Sequence, residues 1–185
     1  MKPVLLAIFC FSASASCNNT KNAATLSVKD NKVYQLLAAA ARGNTVDLQN
    51  LQQAYDAARQ EHLDKIADYN KDTAVGKWEL LLHEYESLQM MFDSISAAPC
   101  CNKINALTNF TSWLKNTRSS AAESWYTTGN VLYTDTTTQS VRRAYHAFEK
   151  AEFFIPGYKD AKSKMDDLYN NHVFINCNKP IFIYC

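Results

Sequence analysis

Turn-forming residues are scarce: the 185-residue chain holds four glycines and four prolines, roughly a third of their share in an average sequence. That shortage excludes a β-sandwich, a β-barrel or a glycine-rich nucleotide loop, each of which needs many tight turns. A charge of one sign is missing too. Nineteen Lys and Arg stand against 18 Asp and Glu, for a net charge of +1, so the chain lacks the basic excess of a nucleic-acid binder and the charge surplus of a disordered one. The motifs HExxH, GxxxxGK[ST], GxGxxG and CxxC are absent, which leaves metalloprotease chemistry, nucleotide binding and a thiolate zinc site without support. No apolar run reaches the roughly 20 residues that span a bilayer. What is present is 47% hydrophobic and 12% aromatic residues, enough to build a core in one helical unit or a short repeat array.

Residues 1–16 have the layout of an export signal: Lys2 at the start, an apolar core from Val4 to Phe11, and small residues from Ser12 to Ser16. Ala13-Ser14-Ala15 satisfies the small-x-small rule of an ordinary signal peptidase. Ser14-Ala15-Ser16-Cys17 instead resembles a bacterial lipoprotein signal, with residues 17–26 as a polar tether beginning Asn18-Asn19-Thr20-Lys21-Asn22. The lipoprotein reading is preferred, although Ser14 stands where that family usually carries an aliphatic residue. The resemblance implies acylation of Cys17 and a membrane-anchored protein of a Gram-negative envelope, on the outer membrane. Several acyl chains on one cysteine suffice for stable anchoring, at about 0.8 kcal/mol per buried methylene. The alternative is a soluble periplasmic or secreted protein.

Four cysteines remain beyond Cys17: Cys100, Cys101, Cys177 and Cys185. In an oxidising compartment disulfides can form between the Cys100/Cys101 turn and the Cys177/Cys185 tail. A vicinal ring between Cys100 and Cys101 and free thiols are the other readings.

Along the chain, apolar residues recur at helical spacing. Val33, Leu36, Leu37, Ala40 and Ala41 mark a first helix, and Leu48, Leu51, Tyr55, Ala58, His62, Ile66 and Tyr69 a second. Trp78, Leu81, Tyr85, Leu88, Phe92 and Ile95 mark a third, stopped by Pro99. Ile104, Leu107, Phe110, Trp113 and Leu114 predict a helix over 100–119, followed by another from Ala121. Further helices are expected from Val141 to Phe154 and from Lys159 to Asn170. The segments 173–176 and 181–184 read as short extended pieces in a tail over 171–185.

From Ala122 the sequence resembles a tetratricopeptide repeat, a 34-residue helical hairpin. Trp125 and Gly129 stand at the aromatic and small positions of the first helix. Ala144, Phe148, Ala151 and Pro156 stand at the small, aromatic, small and proline positions of the second, with about three extra residues in the turn between. Leu132 replaces the usual Tyr. Trp78, Leu81, Leu82 and Tyr85 also resemble a first repeat helix. The likeness covers 122–169 well and the first hundred residues poorly. It implies an all-α fold of antiparallel hairpins in a solenoid over 27–170, with a hairpin at 122–156 and a capping helix at 159–170. It further implies a protein- or peptide-binding groove at Glu123, Tyr126, Asn130 and Tyr133. Asn130 matches the family's carboxylate-clamp asparagine. Tyr126 replaces the clamp lysine, so recognition of a free C-terminal carboxylate is not carried over.

None of the histidines 62, 83, 146 and 172 adjoins a nucleophile motif. His62 lies on the apolar stripe of its helix, where a hydrogen-bonded core histidine outweighs a ligand. The carboxylate pairs Glu84 and Glu86, Glu149 and Glu152, and Asp166 and Asp167 read as solvated helix surface. Asp72-Thr73-Ala74, Asp93-Ser94-Ile95 and Asp135-Thr136-Thr137 resemble a short O-glycosylation pattern of exported Gram-negative proteins, and Asn109-Phe110-Thr111 is an N-glycosylation sequon that applies only in a eukaryotic host. The expectation is therefore a non-catalytic, membrane-tethered protein- or peptide-binding or scaffold module with no cofactor, no metal and no nucleic-acid or nucleotide partner. The rival is a soluble exported protein with cysteine-based chemistry.

Overall fold

The computed structural model describes residues 27–42, 47–101 and 104–170. The expected signal, the tether with Cys17 and the extended tail with Cys177 and Cys185 lie outside these residues. The described chain is all-helical: α1 (Val28–Ala41), α2 (Leu48–Lys71), α3 (Lys77–Ser96), α4 (Thr111–Tyr133), α5 (Thr138–Phe154) and α6 (Ala161–Leu168), with a 3₁₀ turn at Pro99–Cys101.

The helix starts follow from their capping residues. The Ser27 hydroxyl accepts from the Asp30 amide at 3.1 Å while the Asp30 carboxylate accepts from the Ser27 amide at 3.3 Å, a reciprocal cap for α1. Asp47 accepts from the Gln49 amide at 2.9 Å at the start of α2. Thr137 accepts from the Ser140 amide at 3.3 Å ahead of α5. Each cap satisfies a donor that the first helical turn leaves open.

The expected break between helices at 100–119 and 121 onward is corrected: α4 runs unbroken from Thr111, and 104–110 is not helical. Ser119 and Ser120 lie on the exposed side of α4, and Thr117, Ala121 and Ala122 continue its buried stripe. The segment before α4 cannot extend the helix because Ala106 has φ of 54°, a left-handed conformation. Side chains of α2 hold it instead. Gln52 accepts from the Asn105 amide at 2.7 Å and donates to the Asn105 carbonyl at 3.2 Å, and the Tyr55 hydroxyl accepts from the Thr108 amide. Ile104 and Phe110 thereby enter the core without helical periodicity. Trp113, read as part of that stripe, is 46% exposed, its ring tilted against Phe110.

Each helix packs on the next in the chain, and α1 also touches α3. One core gathers Val33, Leu51, Tyr55, Leu81, Leu88, Met91 and Ile95 between α1, α2 and α3. A second gathers Val141, Ala144, Phe148, Ala151, Ala161 and Leu168 between α5 and α6 under the tyrosines of α4. Leu82, Ala121, Ala122 and Phe154 join the two, with Trp78 and Trp125 packed against them. In α4 a Cβ on Gly129 would lie 2.6 Å from the buried Phe148 ring, so only glycine allows α5 this close.

Candidate functional site

The four groove positions of α4 lie on one face, at spacings of three and four residues that keep them in line. That face meets α6. The Tyr126 hydroxyl donates to Asp160 at 2.5 Å. Lys164 donates to the Asn130 side chain, and the Tyr133 hydroxyl donates to Asp167. Glu123 accepts from the Tyr158 hydroxyl and from Lys159 at 2.5 Å. The first three pairings each join residues 34 apart, so partners advance together along α4 and α6, and the two helices run in the same direction.

Two lysines thread this ladder. The Lys164 ammonium lies 4.9 Å from the ring centre of Tyr126, 5.7 Å from that of Tyr133 and 5.5 Å from that of Phe148. Lys159 lies 4.6 Å above Tyr126 and 5.2 Å from Tyr158. A cation over a ring face is attracted by the ring quadrupole, by about 0.5–1 kcal/mol at exposed positions. The hydrogen bonds also tune the acids. The Asp167 carboxylate holds the Tyr133 phenol above its usual range, Glu123 does the same to Tyr158, and Lys159 holds Glu123 below the usual carboxylate range. Tyr126, Asn130 and Tyr133 are half-buried and Glu123 is exposed. The arrangement presents phenols, an amide, ammonium groups and carboxylates side by side, suited to polar recognition.

No family model, curated protein or solved structure matches the chain.

A second cluster, which the sequence reading did not assemble, lies in the first core. His62 of α2 is 3% exposed, Asp30 of α1 3% and Glu84 of α3 4%. His62 Nδ1 lies 2.5 Å from Glu84 Oε2 and Nε2 lies 3.0 Å from Asp30 Oδ1. A neutral imidazole carries one N–H, so two carboxylate partners call for the doubly protonated ring. Burial alone would lower the His62 pKa, but the bonds to Asp30 and Glu84 outweigh it and push it up to about 9. Asp30 is held below its usual value: burial raises it, and the bonds from His62 and Ser27 more than offset that. Glu84, read as solvated surface, is corrected to a buried ligand of His62. The missed signal is the stripe itself, since Glu84 falls between the core positions Leu81 and Leu88. With both nitrogens occupied and no open face, the triad is suited to holding three helices together.

Cys101 is buried and disulfide-bonded. Cys17, Cys177, Cys185 and the side chain of Cys100 lie outside the described residues. Among the described residues no group of three or more His, Cys, Asp or Glu side chains is arranged to hold a metal ion, and no helix is long and apolar enough to cross a membrane.

Proposed function

We propose that the chain is a membrane-tethered envelope lipoprotein acting as a non-catalytic protein- or peptide-binding scaffold. In this reading α4, α5 and α6 form antiparallel hairpins of a tetratricopeptide-like solenoid. The observation that carries it is the 34-residue offset of the three pairings between α4 and α6. That offset sets α6 beside α4 about one repeat further along the chain, while the insertion in the α4–α5 turn moves equivalent positions about three residues further on, and a parallel pair of first helices is how such arrays build a continuous recognition face. The Gly129–Phe148 approach fits the close hairpin this requires. The face would take an extended peptide or a partner helix, and Lys159 and Asp160 just before α6 with Lys164 and Asp167 within it join the four residues of α4. Acylation of Cys17 would confine it to a surface.

The cysteine-based alternative needs an accessible thiolate. Cys101, buried and disulfide-bonded, does not offer one.

The test pairs fractionation with crosslinking in a Gram-negative host. Wild type is expected in the membrane fraction with an acyl mass at its N-terminus, and Cys17→Ala in the soluble fraction. A photoreactive residue at Asn130 should trap one partner that the same residue at exposed Arg143 does not. Equal partitioning of wild type and Cys17→Ala would overturn the tether, and identical crosslinks from both positions would overturn the recognition face.

A further inference from the structure

Three copies of an Asp-(Thr/Ser)-x tripeptide occur in the chain, and their surroundings separate them. Asp72-Thr73-Ala74 forms the link between α2 and α3, and Asp135-Thr136-Thr137 the link between α4 and α5. In both, the aspartate accepts from the amide two residues on, at 2.8 Å to Ala74 and 2.9 Å to Thr137. Thr73 and Thr136 are exposed and outside any helix. Among the described residues nothing partners either hydroxyl. Asp93-Ser94-Ile95 differs on each point. It lies within α3, it is half-buried beside Tyr34 of α1, and the next residue, Ile95, is fully buried.

We propose that Thr73 and Thr136 are O-glycosylation sites and that Ser94 is not, an inference that rests on the export of the chain proposed above. In the transfer, the threonine oxygen attacks the anomeric carbon of a phosphate-activated sugar. The bond from that carbon to the phosphate oxygen breaks, the leaving group keeps the electron pair, and the hydroxyl proton passes to a base of the transferase. The transferase must reach the hydroxyl and both flanking residues. The links at 72–74 and 135–137 present all three without opening a helix, as exposed loop tips do. At Ser94 the same approach would require unwinding α3 and withdrawing Ile95 from the core, an opening close to global unfolding. The two sites sit in separate inter-helix links, between α2 and α3 and between α4 and α5.

The experiment is peptide mass spectrometry of the full chain, purified from the envelope of a Gram-negative host that O-glycosylates exported proteins. Trypsin separates the candidates, placing Thr73 in 72–77, Ser94 in 78–103 and Thr136 in 119–142. The expected result is a sugar mass on 72–77 and 119–142, lost from each on Thr73→Val or Thr136→Val, with 78–103 unmodified. A processed N-terminus with both link peptides unmodified overturns this inference and leaves export intact. A sugar on Ser94 overturns the structural selection. An N-terminus still carrying residues 1–16, with no sugar, overturns this inference and the envelope reading together.

Discussion

Removing the charge from His62 should loosen the first three helices at once. The folded pKa of about 9 exceeds the ordinary histidine value of 6.5, so the native state binds the proton more tightly than the unfolded one. The resulting stabilisation is fully present below pH 6.5 and is lost as pH rises through 9. A displacement of that size corresponds to about 3 kcal/mol, at 1.36 kcal/mol per pH unit. Asp30 sets the other edge: its pKa is lowered, so its share is present above the ordinary aspartate range and is lost on acidification below it. The charged groups around the ring are Asp30 of α1, Glu84 of α3 and, on α2, Lys65, 4.0 Å from the Glu84 oxygen. Glu61 bridges Lys65 to Lys29 of α1 further out. Urea unfolding followed by far-UV circular dichroism should show a plateau near pH 5–6. By pH 9.5 the midpoint should fall by roughly 1.5 M, for an m-value near 2 kcal/mol/M. His62→Leu should cost about 3–5 kcal/mol at pH 6, since it strands two buried carboxylates, and should abolish the fall between pH 6.5 and 9. A wild-type midpoint that is flat or rising across that interval would refute the doubly paired imidazolium.

Gly129→Ala should destabilise by about 1–3 kcal/mol in thermal unfolding, although the same change in an open helix stabilises by roughly 1 kcal/mol, because the new methyl meets the Phe148 ring at 2.6 Å. Lys164→Met should cost about 1–2 kcal/mol and speed amide exchange across 161–168 while leaving α2 protected, because that ammonium is shared by Asn130 and three aromatic rings. Gln52→Ala should release both bonds to Asn105 and raise exchange in 104–110, at a cost of about 1–2 kcal/mol.

Helix positions were legible wherever apolar residues kept a helical period, as at Trp78 to Ile95, where the stripe stays on the buried side. The segment 104–110 was not, because its apolar spacing imitates a helix and the deciding influences are a left-handed Ala106 and the distant Gln52. The alignment of Glu123, Tyr126, Asn130 and Tyr133 along one face of α4 was readable from spacing. Their engagement by α6 was not, since pairing across 34 residues depends on how α5 returns the chain. The Asp30–His62–Glu84 cluster was hidden for a related reason. Each carboxylate, taken with its own helix, looks like a cap or a surface acid, and only the packing of three helices encloses them.

The sequential packing of the helices bears on how the chain reaches this form. A polypeptide released from its N-terminus completes the α1–α3 core once Phe110 has emerged, before any residue of α5 or α6 is needed. The second half then assembles on a finished template through Leu82 and Trp78. Near-neighbour contacts of this kind favour fast, stepwise assembly. A chain threaded through a pore in an extended state could therefore regain its structure in the order in which it leaves, with the α1–α3 half the first to become resistant to proteases.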